Sequence, residues 1–318
     1  MRTPLLIVNP ACGSRRVARS IPRALERVEQ VLGDVAIRYT AKTGHARELA
    51  RQGVKEGYPL VVAMGGDGTL SEVVNGVLYA HPSGAAGQPP DTAVGIVNLG
   101  TGGDFRRSLG IGTGVDACLA ALTSGRERLV DVGRASFAGL DGTVREQYFV
   151  NVLSAGLGGL VDRYIETMPS FLGGKAGYYL AALRAVAVSR ERLVDARITW
   201  LGETREESIP AYLIAVCNGR WFGGGMDLAP MALPDDGRLE VITITAPSKP
   251  YLADRVRGVY TGRHLQEPTV HHFPCTGITL SLPAADASRL FPLDVDGEAL
   301  GIPPVEIEVM PNMLRVRG

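Results

Sequence analysis

Short apolar runs alternate with helical periodicity in the first third of the chain. Continuous apolar residues at 5–8 and 60–64 predict buried parallel strands. After the first run, apolar residues recur three or four positions apart, which predicts a helix that Ser20 caps and that holds Pro22 in its first turn. Further strands are predicted at 35–39 and 93–97, and further helices at 45–55 and 70–79. This alternation predicts a layered α/β domain.

The pattern changes at residue 129, where strand-like runs begin to follow one another. They lie at 148–153, 196–200, 211–217, 239–244 and 277–282, and one helical stretch at 178–188 interrupts them. Turn residues separate most of these runs, as in an antiparallel sandwich. We therefore expect an α/β domain over residues 1–128 and a β-rich domain over residues 129–302.

Composition limits the class of protein. The 318 residues suffice for two domains with cores of their own, and 33 basic residues balance 33 acidic ones, so no basic field favours nucleic acid. The four cysteines are scattered without a C-x-x-C pair, which favours a reducing compartment. Neither a signal peptide nor a spanning segment is recognisable, so we expect a cytoplasmic protein whose contact with a membrane is peripheral. A homodimer, the commonest soluble oligomer, is the default expectation.

The strongest chemical signal is the loop Gly65-Gly66-Asp67-Gly68-Thr69 between a buried strand and a helix. Glycines let backbone N–H groups approach an anion, and the helix N-terminus favours phosphate. Asp67 can reach Mg²⁺ directly or through water, and Thr69 adds a hydroxyl. The plain alternative is a tight turn in which Asp67 caps the helix.

Two further loops end strands of the same predicted sheet, Asn9-Pro10-Ala11-Cys12-Gly13 and Gly100-Thr101-Gly102-Gly103-Asp104-Phe105. Because parallel strands place their carboxyl ends at one edge, these loops and the first predict a nucleotide cradle. Taken alone, each is also explained as a turn or a capped helix start. A Walker lysine and a G-x-G-x-x-G fingerprint are both missing from these loops.

Carboxylates cluster in two segments of the second half. Asp235-Asp236-Gly237 is an ordinary turn sequence on local grounds. The alternative interpretation is a metal site. Asp294, Asp296 and Glu298 would share one face of a strand unless the Asp296-Gly297 pair forms a hairpin turn. Such clusters need a metal, a cation or a proton to offset repulsion.

Together these motifs resemble the diacylglycerol kinase catalytic-domain family, which includes bacterial lipid kinases and sphingosine and ceramide kinases. The matching segments follow in order over nearly the whole chain. They are N-P-x-x-G from Asn9 to Gly13, T-x-x-x-G-H-A from Thr40, G-G-D-G-T from Gly65 with E-V-x-N-G from Glu72, G-T-G-x-D-F from Gly100, Asn218 with its triple glycine, Ala229-Pro230, Asp236-Gly237 and Asp296-Gly297-Glu298.

The resemblance implies an ATP-dependent kinase for a hydroxyl of diacylglycerol or a related lipid, with its active site in a cleft between the two domains. It implies that residues 303–318 return to the first domain. It implies the following sites: ATP contacts at Asn9, Gly13, Thr40, Gly65, Gly66, Asp67, Gly68, Thr69, Leu70, Ser71, Thr101 and Glu298; catalysis by Asp67 and by Asp296 as proton acceptor; and Mg²⁺ at Asp67 and at Asp236, the latter with carbonyl groups of Leu233 and Arg238.

Three positions depart from the family pattern: Cys12 replaces a common Ser, Gly103 a common Asn, and Asn98 a common Pro. Two other functions stay open from the residues alone. One is a kinase for a soluble hydroxyl acceptor on the same scaffold. The other is a nucleotide-binding relative without lipid kinase activity, although Asp67, Asp296 and Glu298 favour an enzyme.

Overall fold

The structure is a computed structural model that describes residues 3–13, 15–81, 88–99, 102–139, 143–166, 174–283 and 291–318. The chain forms two units. Unit 1 comprises residues 1–132 and 310–318, and unit 2 comprises residues 133–309. The chain leaves unit 1 within one long strand, Glu127–Gly139, and returns to it within another, Glu298–Arg317.

Unit 1 is built on parallel strands. Its elements in chain order are β1 (Leu5–Val8), α1 (Arg15–Leu32), β2 (Ala36–Tyr39), α2 (His45–Lys55), β3 (Leu60–Gly65), α3 (Asp67–Ala80), β4 (Ala93–Asn98), α4 (Asp104–Ser108), α5 (Val115–Thr123) and the end of β17 (Glu298–Arg317). The strand order is β2-β1-β3-β4-β17, and all these neighbours are parallel. Every residue of β1, β3 and β4 is buried, which explains their continuous apolar runs. The predicted α/β fold class is confirmed.

Helix α1 differs from its prediction. It begins at Arg15 rather than after Ser20, and Pro22 lies in its interior. Ser20 caps nothing; its hydroxyl donates to the Val17 carbonyl at 2.7 Å. Pro22 is exposed, whereas Ile21 beside it is buried. The carbonyl group that loses its partner to the proline therefore faces water, and the helix continues through it.

Unit 2 is built on antiparallel strands. Its elements are β5 (Glu127–Gly139), β6 (Val144–Phe149), β7 (Val152–Gly156), α6 (Leu157–Glu166), α7 (Gly174–Val188), β8 (Arg192–Trp200), β9 (Glu203–Ala211), β10 (Leu213–Cys217), β11 (Trp221–Phe222), β12 (Met226–Asp227), β13 (Leu239–Ile244), α8 (Lys249–Arg255), two 3₁₀ helices (Val256–Thr261 and Arg263–Gln266), β14 (Val270–Cys275), β15 (Gly277–Ser281), β16 (Leu293–Val295) and β17. The main order is β14-β13-β10-β7-β16-β17, with antiparallel neighbours. The predicted β-rich second part is confirmed.

The run at 148–153, predicted as one strand, is two strands. β6 ends at Phe149, and β7 begins at Val152. The backbone N–H groups of Val150, Asn151 and Val152 donate to the carboxylate of Asp296 instead of to a neighbouring strand. A side chain far along the sequence therefore interrupts the ladder.

The central sheet of unit 2 carries an apolar cluster on each face. Leu153 packs in one cluster and Val152 in the other, because successive side chains of a strand point to opposite faces. The second cluster includes buried residues of α6, α7 and α8. Among the described residues, no helix has both the length and the apolar character needed to cross a membrane.

A pair of interacting carboxyl groups is buried inside this unit. Asp294 of β16 is fully buried, and Asp162 of α6 is 5% exposed. The Ser154 hydroxyl lies 3.5 Å from Asp294 Oδ2. Burial, the negative charge of Asp162 and the hydrogen bond between the two side chains raise the pKa of Asp294 well above its ordinary value. The two carboxyl groups therefore share a proton in the folded protein.

This pair sets a pH dependence of stability. Since Asp294 releases its proton at about pH 3.9 when unfolded, the folded state binds more protons above that pH. We expect the free energy of unfolding to fall as pH rises towards the folded pKa. Asp294→Asn, which supplies an amide donor to an ionised Asp162, should flatten this fall. Urea unfolding at a series of pH values measures both profiles.

Ser208→Ala is a suitable control, because the Ser208 hydroxyl donates to the exposed carboxylate of Asp195 and touches neither buried group. Its profile should run parallel to that of the unchanged protein. If the Asp294→Asn profile is also parallel, the two carboxyl groups do not share a proton.

Candidate active site

The turn from β3 into α3 presents open backbone to solvent. Gly66 is the N-cap residue of α3 and provides no side-chain cap. A Cβ at Gly66 or Gly68 would meet no atom within 4 Å, whereas a Cβ at Gly65 would lie 2.4 Å from the Thr69 hydroxyl. Gly65 thus makes room for Thr69, and the other two glycines leave the helix N-terminus accessible. This is the geometry of an anion-binding helix start.

The carboxylate of Asp67 joins this turn to the loop that precedes α4. Its Oδ2 accepts from the Gly103 N–H at 2.7 Å, and its Oδ1 accepts from the Asp104 N–H at 3.0 Å. A Cβ at Gly102 would lie 2.5 Å from Asp67 Oδ2. Burial raises the pKa of Asp67, while the two N–H groups act to lower it. Each oxygen keeps a lone pair for one further ligand.

The loop after β1 is tied to the same place. The amide of Asn9 donates to the Thr69 hydroxyl at 3.0 Å, and its Oδ1 accepts from the Ala11 N–H at 3.0 Å. Gly13 has a φ of +68°, and a Cβ there would lie 3.1 Å from the Val17 side chain. The structure therefore brings Asn9, Thr69 and Asp67 to one edge of the unit 1 sheet.

Glu72 holds a further segment. Its buried carboxylate accepts from the N–H groups of Gly44 and Ala46, at 2.7 and 2.9 Å, where α2 begins. Thr40 lies at the end of β2, just before this segment, and its N–H donates to the Val8 carbonyl at 2.9 Å. Sequence reasoning quoted Glu72 within a motif but gave it no role. The feature that could have indicated this role is Gly44 at the start of α2: it has no capping side chain, so a carboxylate from elsewhere in the chain is needed there.

Three residues predicted to contact the nucleotide are not seen at the open edge of the unit 1 sheet. Leu70 and Ser71 are buried within α3, at 4% and 1% exposure, so their side chains pack inward. Thr101 lies outside the described residues.

In unit 2, Asp296 and Gly297 form the two-residue turn that joins β16 to β17. Asp296 has a φ of +50° and Gly297 a φ of +89°, and Val295 pairs with Glu298 across the turn. This is the positive-φ hairpin that Asp-Gly favours. The turn intervenes between the acidic residues, so Asp294 lies in a strand and Asp296 outside it, and the alternation that would place both on one face does not apply.

The carboxylate of Asp296 accepts three backbone hydrogen bonds. Val150 N–H donates to Oδ2 at 2.9 Å, and the N–H groups of Asn151 and Val152 donate to Oδ1, each at 3.0 Å. Of about four lone-pair positions on a carboxylate, three are therefore directed at the backbone. This geometry positions the hairpin firmly.

Asn218 binds the same backbone segment that Asp296 binds. Its amide donates to the Val150 carbonyl at 2.8 Å, and its N–H donates to the Asn151 carbonyl at 2.8 Å. The Asn151 amide donates to the Trp221 carbonyl at 2.7 Å. The motif that starts at Asn218 and the motif at Asp296 thus hold one backbone segment, which neither motif predicts alone. Glu298 follows the hairpin turn and is half-buried.

The Asp236 loop contains a cation of its own. Arg238 Nε lies 2.9 Å from Asp236 Oδ2 and 3.3 Å from Glu240 Oε1. Glu240 is 4% exposed, and burial raises its pKa while Arg238 acts to lower it. Two carboxylates share one guanidinium, so the loop keeps an acidic character that suits a further cation. Among the described residues no group of three His, Cys, Asp or Glu side chains could hold a metal, so carbonyl groups such as those of Leu233 and Arg238 would have to complete the ligands.

Comparisons with known proteins cover both units. Residues 3–135 match the family described as diacylglycerol kinase catalytic domain, and residues 151–318 match the family described as YegS C-terminal NAD kinase beta sandwich-like domain. A diacylglycerol kinase of Staphylococcus carnosus is 28% identical over 296 residues, covering 92% of this chain and 87% of the relative. One of Staphylococcus saprophyticus is 26% identical over 293 residues, covering 92% and 88%.

A crystal structure of a diacylglycerol kinase from Bacillus anthracis has a similar fold, with a TM-score of 0.68 at 21% identity, covering 99% of this chain and 96% of that one. The motifs at the edge of unit 1 and the hairpin of unit 2 fall within the two matched regions. The chain therefore belongs to the diacylglycerol kinase catalytic-domain family, a family of phosphotransferases.

Proposed function

We propose that the protein transfers the γ-phosphoryl group of ATP to a hydroxyl group of a lipid, diacylglycerol or a close relative of it. The open start of α3 and the loop before α4 support the binding of a polyphosphate. The relatives named diacylglycerol kinase support the lipid acceptor. We further propose that the lipid is reached from the surface of a membrane, by peripheral contact.

The observation that carries the lipid assignment is an apolar cavity within unit 2. It is partly open to solvent, and apolar side chains form nearly all of its exposed wall. Residues that line it include Leu157, Val161, Leu213, Phe222, Leu252 and Val256. A wall of this apolar character suits an acyl chain, whereas a sugar or other polar acceptor would exchange its hydrogen bonds to water for contacts with a surface that is almost wholly apolar.

The residues of unit 1 would position the nucleotide. We assign phosphate contacts to the backbone N–H groups of 66–69 and to the Thr69 hydroxyl, which Asn9 orients. Mg²⁺, when bound with the nucleotide, would neutralise phosphate charge. Asp67 fits it through the free lone pairs of its carboxylate, while its bonds to Gly103 and Asp104 fix its position. At Asp236 we propose a second, structural Mg²⁺ site that includes carbonyl groups of Leu233 and Arg238.

The acceptor hydroxyl must lose a proton as its oxygen bonds to phosphorus and the bond from phosphorus to the β–γ bridging oxygen of ATP breaks. The family resemblance implies that Asp296 accepts this proton. Because three backbone N–H groups already bind the Asp296 carboxylate, we assign the proton to Glu298 and a positioning role to Asp296. Glu298 follows the same turn and is half-buried, so it is held near the hairpin while its carboxylate serves as base.

A lipid panel tests the function directly. The protein would be incubated with Mg²⁺ and γ-labelled ATP in mixed micelles that contain diacylglycerol, monoacylglycerol, sphingosine, ceramide or phosphatidylglycerol. We expect label on one acyl-bearing lipid, and loss of that label in Asp67→Ala. Label on glycerol or a sugar alcohol instead would replace the lipid assignment with a soluble acceptor. ATP binding without label on any compound would leave a nucleotide-binding relative.

A matched pair of variants separates Glu298 from Asp296. Glu298→Gln should lower kcat by about 10²–10⁴-fold, the usual contribution of a positioned base, with an unchanged melting temperature. Asp296→Asn places an amide against three N–H donors and should lower the free energy of unfolding by about 2 kcal/mol. Steady-state kinetics and thermal unfolding of both variants provide the comparison. If Asp296→Asn is stable but inactive and Glu298→Gln is active, then Asp296, and not Glu298, is the base that accepts the proton.

Filling the cavity should change chain-length preference. Ala182 of α7 lines the cavity, so Ala182→Phe should lower kcat/KM for long-chain diacylglycerol by about tenfold or more while short-chain substrates and ATP are used normally. Leu180 lies on the exposed side of the same helix at 49% exposure, and Leu180→Phe is the matched control. Equal losses for short and long chains would show that the cavity does not hold the acyl chain.

A further inference from the structure

Arg106 is a buried guanidinium beside the proposed phosphate edge. It lies in α4 and is 2% exposed. Its Nη1 donates to the Ile111 carbonyl, but its Nε is buried and has no hydrogen-bond partner among the described residues. The next residue, Arg107, forms an ion pair with Asp104 at 2.8 Å. In the described part of the chain no carboxylate comes within ion-pair distance of Arg106.

A buried cation without an ion pair is unfavourable, so its presence calls for a compensating anion. Among the described residues, two carboxylates lie in this region: Asp104, which pairs with Arg107, and Asp67. Burial raises the pKa of Asp67, and the positive charges of Arg107 and Arg106 act in the opposite direction, which places both cations within electrostatic reach of it. Asp67 already accepts two backbone N–H groups and is not in contact with Arg106. An anion bound at the edge is the remaining candidate.

The absence of a side chain at Gly103 leaves space that the side chain of Arg106 occupies. A Cβ at this glycine would lie 2.9 Å from Arg106 Nε and 2.8 Å from Asn98 Nδ2. Gly103 also has a φ of +83°, a conformation that side-chain-bearing residues rarely adopt. With no side chain at position 103, the Nε of Arg106 and the amide nitrogen of Asn98 lie close to the backbone of Gly103. The same backbone carries the N–H that binds Asp67.

We propose that Arg106 supplies the positive charge for a nucleotide phosphate at this loop, and that Gly103 is glycine because Arg106 and Asn98 occupy the space of its side chain. The inference rests on the proposed nucleotide binding. The glycine-rich loops contain no lysine of the Walker type, and a polyphosphate needs cationic compensation besides Mg²⁺. A guanidinium kept from water by burial acts more strongly on a phosphate than an exposed one does.

Calorimetry with the full chain tests the phosphate contact. Titrations with ADP and with adenosine would be compared for the unchanged protein, Arg106→Met and Arg106→Lys. We expect Arg106→Met to weaken ADP binding by about tenfold or more, the effect of one charged interaction, and to leave adenosine binding unchanged. Arg106→Lys should lose less. Arg51→Met removes an exposed arginine of α2 and is the control for net charge.

The outcomes separate the two proposals. If the unchanged protein binds neither ADP nor ATP, the proposed function fails. If it binds ADP but Arg106→Met weakens ADP and adenosine equally, or neither, Arg106 is structural and the inference fails.

A second measurement holds even if Arg106→Met folds poorly. Gly103→Ala should lower the melting temperature less in an Arg106→Ala background than in the unchanged protein, because the contact with Nε is gone. If the two substitutions lower the melting temperature additively, the Arg106 side chain does not occupy the space of a side chain at position 103.

Discussion

Within each unit, acidic side chains that accept backbone N–H groups from another segment fix the position of the candidate site residues. Glu72 binds the start of α2, Asp67 binds the start of α4, and Asp296 binds the break between β6 and β7. Each is a charge-assisted contact between two segments distant in sequence. Such contacts satisfy exposed helix starts and a strand break that would otherwise lack partners. These contacts position backbone outside the helices and strands, and phosphoryl transfer depends mainly on positioning.

The sequence was most informative where one local pattern determined one element. Continuous apolar runs located β1, β3 and β4, and α2 has the predicted limits. The sequence did not predict an element correctly where a residue distant along the chain, or exposure to solvent, determines it. The break before β7 requires Asp296, 144 residues away from Val152. α1 passes through Pro22 because that residue faces water. β9 was missed because nearly all its side chains are exposed and polar, so its pairing with β8 leaves no apolar signature.

For the candidate site, too, local sequence patterns were informative and contacts between distant residues were not predicted. Motif residues were identifiable from their loops, but their contacts were not, because motifs list residue types and not partners. Asp296 was predicted to accept the proton of the acceptor hydroxyl, whereas the three backbone donors that bind its carboxylate, which no motif indicates, support the positioning role that we propose for it. Arg106 was not predicted as a site residue, since an arginine directly after the segment at 100–105 is typical of a helix surface. Its burial follows from the packing around Gly103, which no periodicity encodes.

The departures from the family pattern now have a physical reading. Gly103 replaces a residue with a side chain, and both neighbours that fill the vacated space, Asn98 and Arg106, carry nitrogen donors. The amide that the loop lacks is thus replaced by an amide and a guanidinium that arrive from β4 and α4. Cys12 is a different case: it is 8% exposed and burial raises the pKa of its thiol, so it packs as a neutral apolar group where a serine would offer a hydroxyl. Of the three departures, those at Gly103 and Asn98 lie beside the loop that we propose binds phosphate, and we therefore expect them to matter more for nucleotide binding than the one at Cys12.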